Sequence, residues 1–162
     1  MEKLAIFVDV QNVYYTVRQA YGCNFDYNAF WKTATEGNSV SVAFAYAIDR
    51  ADQKQREFQN ILRAIGFEVK LKPYIQRSDG SSKGDWDVGI ALDAFEAADN
   101  ADRVILVSGD GDFELLVDRI RGRKNIPVDV YGVPSLTADS LVKAATRFIP
   151  IEGGLLLGSH RK

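Results

Sequence analysis

Five aspartates fall in three polar stretches, each next to an apolar run: Asp9 after residues 4–8, Asp85 and Asp87 before residues 88–98, and Asp110 and Asp112 in Ser108-Gly109-Asp110-Gly111-Asp112 after residues 103–107. Asn12 accompanies Asp9, and Lys83 precedes Asp85. Carboxylates gathered in one cleft repel one another unless a cation compensates them. Mg²⁺ and Mn²⁺ do this with hard oxygen ligands, few carboxylates and waters, leaving positions for a phosphate oxygen and an attacking water. Such a constellation points to metal-dependent phosphodiester chemistry.

Each residue also has a purely structural role open to it. Asp9 can end a strand, and Asp112 can cap a helix, a contribution of about 1 kcal/mol. Asp85 and Asp87 can stabilise a first helical turn. Asn12 can be a local cap and Lys83 a solvated loop charge. Capping and ligation are compatible, because a capping side chain can still face a cleft. Asp93, on another face of the same helix as Asp87, is left outside the site.

Other chemistries fail on missing residues. The chain has one histidine, His160, and one cysteine, Cys23, so Ser-His-Asp and Cys-His catalysis lack a base in the folded body, and Cys/His zinc sites are excluded. Gly109-Asp110-Gly111 lacks the third glycine of a dinucleotide loop, that position being Glu114, and no P-loop sequence occurs. Asp9-Val10-Gln11 lacks the second aspartate of haloacid-dehalogenase-like phosphatases. At 46% hydrophobic and 26% charged residues, with net charge −2, the 162-residue chain reads as one soluble domain whose overall field attracts no polyanion. No apolar run approaches the roughly 20 residues of a membrane span. With no secretory pattern at the start and no disulfide possible, the cytoplasm is the expected compartment.

These residues must be positioned by an alternation of strands and helices. Apolar runs at 4–8, 40–48, 67–74, 103–108 and 126–131 predict five strands. Helical spacing predicts helices over 11–21, 26–36, 53–65, 86–98, 113–123 and 138–147, the fourth with Val88, Leu92 and Phe95 on its stripe and Ala91, Ala94 and Ala98 allowing close packing against a sheet. Residues 76–84 are rich in turn formers and read as a mobile surface loop. The pattern predicts a three-layer α/β domain over residues 1–151, with a mainly parallel sheet between helices and its site at the carboxyl ends of the strands. The tail 152–162, carrying the Leu155-Leu156-Leu157 run, is read as flexible or as a contact with a second copy in a homodimer.

Phe7-Val8-Asp9-Val10-Gln11-Asn12, Lys83-Gly84-Asp85-Trp86-Asp87-Val88-Gly89-Ile90-Ala91-Leu92-Asp93 and Val107-Ser108-Gly109-Asp110-Gly111-Asp112-Phe113 together resemble the NYN domain family, PIN-like proteins of the LabA and DUF88 type. The similarity runs over about residues 4–151. It implies a PIN-like, Rossmann-like fold and metal-dependent RNA cleavage, with Asp9, Asp87, Asp110 and Asp112 as catalytic metal ligands for one or two Mg²⁺ or Mn²⁺ ions. Asn12 and Ser108 would support the cluster by hydrogen bonding. Two residues, Asp85 and Trp86, separate Lys83-Gly84 from Asp87 where the family often has one, which leaves the division of labour between Asp85 and Asp87 open. RNA is the implied partner: Lys83 and Arg77 would meet phosphates, with Lys70, Lys72 or the basic residues of 119–124 tracking the backbone, and Trp86, ahead of Tyr14, Tyr15 and Tyr74, would stack bases. Two rival readings keep the same fold: a non-catalytic regulator that binds RNA or protein, and a metal-dependent phosphatase for small esters.

Overall fold

The computed structural model describes residues 1–73, 75–76, 82–83 and 85–158. Its central strand, β1 (Lys3–Asp9), is buried on both faces because its side chains alternate between two apolar layers. Leu4, Ile6 and Val8 enter one core, and Ala5 and Phe7 enter the other. The first core is covered by α1 (Val10–Tyr21), α2 (Tyr27–Thr35) and α3 (Gln53–Ile65); the second by α4 (Asp87–Ala97), α5 (Glu114–Arg119) and α6 (Asp139–Ala144).

The remaining strands are β2 (Ser39–Asp49), β3 (Glu68–Pro73), β4 (Ile75–Gln76), β5 (Ser82–Lys83), β6 (Arg103–Val107), β7 (Val128–Gly132) and β8 (Arg147–Pro150). Five of them join β1 in one six-stranded parallel sheet in the order β3-β2-β1-β6-β7-β8, and β4 and β5 pair antiparallel apart from it. The chain builds outward from β1 to β2 and β3, then returns to β6 on the other side. Strand order therefore reverses between β1 and β6, where a doubly wound sheet opens a crevice at its carboxyl edge.

The expected three-layer α/β architecture is observed, with local differences. Of the stretch 76–84, expected to be a mobile loop, Gln76, Ser82 and Lys83 belong to the paired β4 and β5, strands of two residues too short to leave a periodic pattern, and the rest lies outside the described residues. A sixth sheet strand, β8, occupies residues assigned to the end of the last helix and beyond; it is an edge strand, where Pro150 is tolerated. The expected helix 113–123 divides into a 3₁₀ turn (Gly111–Phe113), α5 and a wider turn (Ile120–Lys124). On α4, Val88 and Leu92 of the expected stripe face solvent and Phe95 is only partly buried, while Ile90 is buried together with Ala94 and Ala98, two of the small residues expected to pack closely. The small residues let the helix lie close to the sheet. The run Leu155 to Leu157 is partly closed down, since Leu156 is buried and bridges Phe25, and the Leu157 amide bonds the Asn24 carbonyl at 2.9 Å.

One buried charge braces the β6–β7–β8 side. Asp129, 1% exposed, takes Arg103 Nη1 at 3.0 Å and Arg147 Nη2 at 2.7 Å, spanning three strands. Removing one partner of a buried pair leaves its fellows uncompensated. Asp129→Ala is expected to lower stability by about 3 kcal/mol in urea denaturation, whereas Asp99→Ala, which removes an exposed pair with Lys124, is expected to cost less than about 1 kcal/mol.

Candidate metal centre

Asp9 ends β1 and caps α1. Its Oδ1 accepts the Asn12 amide at 3.4 Å, and its Oδ2 accepts the Ser108 hydroxyl at 3.2 Å. Asn12 returns the connection: its Oδ1 accepts the Gly109 amide at 2.9 Å. The Ser108 Oγ also accepts the Asp110 amide at 3.2 Å, and Asp110 Oδ1 accepts the Asp112 amide at 2.9 Å. A continuous chain of hydrogen bonds thus ties the end of β1 to the loop after β6. The helix-capping role open to Asp112 falls instead to Asp110, which caps the 3₁₀ turn leading into α5.

Glycine is required in this loop for want of space. A Cβ on Gly109 would lie 2.9 Å from the Leu136 carbonyl, and one on Gly111 would lie 2.9 Å from the Ala138 Cβ. The Gly109 carbonyl also accepts the Ala138 amide at 3.1 Å. The segment before α6 therefore backs the loop and fixes where Asp110 and Asp112 point. Sequence reasoning missed this support, for which the glycines flanking Asp110 were the one available signal.

The third segment is held by Trp86. Its indole Nε1 donates to the Ala47 carbonyl at 2.8 Å and its ring packs on Tyr46, with centroids 5.2 Å apart. Lys72 Nζ lies 4.6 Å from the Trp86 ring centroid and donates to the Asp85 carbonyl at 3.0 Å. The Asp85 carboxylate accepts the Asp87 amide at 3.3 Å, capping the first turn. Asp87 shares its α4 face with Ile90, Ala91 and Ala94, so the stripe that packs the helix on the sheet also turns Asp87 to the sheet edge.

The outcome is that carboxylate oxygens of Asp87, Asp110 and Asp112 all lie within 4.8 Å of one another. Asp9 sits behind them, only 8% exposed. Burial pushes its carboxyl up to about 6, opposed by the Asn12 and Ser108 hydrogen bonds and reinforced by Asp110 and Asp85. Asp87 is pushed up to about 7, by desolvation first and then by Asp110, Asp85 and Asp9. The donor set is all hard oxygen, the set that suits Mg²⁺ or Mn²⁺.

Not every expected residue joins the cluster. Asp93 stays outside, held by the Tyr46 hydroxyl at 2.8 Å and by Lys70 Nζ at 2.7 Å, which removes Lys70 from the edge. Arg121 is tied to the Ala144 carbonyl and Lys124 to Asp99. Lys83 belongs to β5 by its backbone; its side chain, together with Arg77 and Tyr74, lies outside the described residues.

These environments have a consequence for stability. Folded Asp9 titrates near 6 against an ordinary 3.8, so between those values the folded chain holds more protons than the unfolded chain. Stability from this group is complete below about pH 4 and is lost as pH rises through 6, a loss of about 3 kcal/mol by pH 8. In EDTA at pH 8, Asp9→Asn is therefore expected to be more stable than the wild type by about 2 kcal/mol, and at pH 4 the difference is expected to vanish, both by urea denaturation.

Comparison with known proteins agrees with this geometry. A family model described as NYN domain matches residues 3–152. The "Low amplitude and bright protein LabA" of Synechococcus elongatus is 29% identical over 157 residues, covering 92% of this chain and 83% of that protein. The crystal structure of a protein of unknown function from Vibrio parahaemolyticus superposes with a TM-score of 0.92 at 63% identity, covering 96% of each chain. The central parallel sheet, the acids at its switch point and the match along nearly the whole chain make this protein a member of the NYN domain family.

Proposed function

We propose that the protein is a Mg²⁺- or Mn²⁺-dependent ribonuclease, acting in the cytoplasm on RNA phosphodiester bonds at the carboxyl edge of its sheet. The observation that carries this reading is the meeting of Asp87, Asp110 and Asp112 within 4.8 Å, from segments separated in sequence but all within the span that the family model matches. A binding module has no need to hold mutually repelling carboxylates together.

In this reading Asp87, Asp110 and Asp112 hold one or two cations, with Asp9 completing the set from β1. The bound ion supplies an acidified water and charge compensation at the scissile phosphate. The chain's own groups prepare that site. Ser108 and Asn12 hold Asp9 and the Gly109–Asp110 loop in register, Asp85 caps the turn that presents Asp87, and the anchored Trp86 fixes that turn's position. Lys83 and Arg77, carried by the segment between β3 and α4, would neutralise phosphates of the strand, and the outer edge of Trp86 would meet a base. Protonated Asp87 and Asp9 cannot serve a cation, so binding and turnover should fall as pH drops below about 7. Residues 1–151 form the nuclease domain on this reading. The following segment bears the exposed Leu157, a contact for a second copy in a homodimer.

Incubated with labelled single-stranded RNA, the purified protein is expected to cut in Mg²⁺ or Mn²⁺ and not in EDTA. Asp110→Asn is expected to lose at least about 100-fold in rate, and matched DNA to be cut more slowly. Cutting that survives both EDTA and the substitution would remove the metal-centre reading; cutting only of a small phosphate ester would replace RNA as the substrate.

A further inference from the structure

Beside the acid cluster, on the α1–α2–α3 side of the sheet, lies a cleft of about 600 Å³ that hydrolysis itself does not use. Its walls include Val13, Tyr14 and Tyr15 of α1 and Phe58 of α3. Two of its lining residues adjoin elements of the metal centre. Val10, the residue after Asp9, lines it, and so does Ala47, whose carbonyl anchors Trp86 beside Asp87. Asp9 pairs in register with Tyr46, so Ala47 is the next residue along β2.

Two polar side chains within the cleft stand out. Gln59 is 5% exposed and Tyr27 is 8% exposed, and both line it. Among the described residues neither the Gln59 amide nor the Tyr27 hydroxyl has a hydrogen-bond partner. Buried polar groups are ordinarily paired, because an unpaired one has given up water for nothing. No fully enclosed side-chain nitrogen or oxygen among the described residues lacks a partner, so these two groups meet the interior of the cleft. Tyr27 lies near the metal centre as well: burial, and then the Asp9 charge, push its phenol up. Arg50 and Lys54 stand among the lining residues, with Asp52 between them.

The occupant must satisfy all of this at once. Aromatic and aliphatic walls suit a flat ring, and an amide with both donor and acceptor, beside a hydroxyl, suits the edge of a heterocycle. Cationic side chains suit a phosphate attached to that ring. An apolar side chain from a second copy would leave Gln59 and Tyr27 unpaired, and a free phosphate would leave the apolar walls unused. We propose that the cleft binds one unpaired nucleobase of the RNA strand whose phosphodiester lies at the Asp87–Asp110–Asp112 cluster, with Gln59 and Tyr27 pairing its edge and Lys54 meeting a flanking phosphate. This rests on the ribonuclease reading of the neighbouring site and narrows it. A base held in a duplex cannot enter, so the substrate is single-stranded and is cut at a fixed offset from the held base.

The test measures binding by the full-length Asp110→Asn protein in Mg²⁺, using fluorescence anisotropy. The probes are a labelled single-stranded RNA of eight nucleotides, the same strand in a duplex, and its counterpart with abasic residues. Adding Gln59→Leu, nearly equal in volume, is expected to raise the Kd for the single strand about tenfold and to leave the abasic strand unchanged. Tyr27→Phe is expected to act in the same direction, about threefold. Urea midpoints close to those of the parent show that the fold is intact, since neither polar group is bonded to the rest of the chain. Equal shifts for both strands, no shift for either, or tighter binding of the duplex overturns the proposal. Cutting by the wild-type protein reads the metal centre separately. A chain that cuts RNA without any Gln59 effect loses only the cleft assignment, and a chain with the Gln59 effect that cuts nothing loses the nuclease reading.

Discussion

Carboxylates from separate parts of the chain are held closer together than their charges favour, and the rest of the structure answers to that constraint. Burial first, and repulsion after it, push Asp87 up to about 7 and Asp9 up to about 6. What opposes the repulsion is a scaffold whose energy comes from elsewhere: β1 and β6 at the centre of a sheet covered on both faces, with their carboxyl ends joined through Asn12–Gly109 and Asp9–Ser108–Asp110. These contacts are local and directional, so they fix positions; the two apolar cores supply the stability that lets those positions be strained.

The same economy of elements recurs across the site. The α4 stripe that packs the helix on the sheet also aims Asp87, and the indole that anchors the turn before α4 bonds to β2, the strand that borders the neighbouring cleft. Helix α1 begins at Asp9 and then contributes Val10, Val13, Tyr14 and Tyr15 to that cleft. The acid cluster and the cleft proposed to hold a base thus share a single framework. A shift of α1 would move Asp9 and a wall of the cleft together.

Much of this was legible in the sequence. The strand-and-helix alternation carried the fold class, and glycine-flanked Asp110, strand-ending Asp9 and helix-opening Asp87 carried the place of the acids. What escaped was set by tertiary context. On α4 the exposure of Val88 and Leu92 escaped, because close approach to the sheet selects the small Ala94 and Ala98, which were expected to pack there, over larger apolar residues. Strand β8 escaped because its four residues pair only at an edge, and the 3₁₀ turn at Gly111–Phe113 because capping by Asp110 starts it early. Gln59 and Tyr27 belong to helical faces that look ordinary in sequence, and only the folded arrangement leaves them largely buried with their polar ends at the cleft. The two residues between Lys83-Gly84 and Asp87 left the roles of Asp85 and Asp87 open, and geometry separates them: Asp87 joins the carboxylate cluster, while Asp85 accepts its amide.

The central claim is that these acids converge in order to hold a divalent cation. It is tested most directly by following free Mn²⁺ by electron paramagnetic resonance at pH 6 and pH 8, with the wild-type protein and Asp87→Asn. The expected result is an affinity that rises at least about tenfold between the two pH values, with release of about one proton per ion near pH 6.5, and a loss of at least about tenfold in Asp87→Asn. Binding that is equal at both pH values and equal in the variant, or no binding at millimolar Mn²⁺, would contradict it.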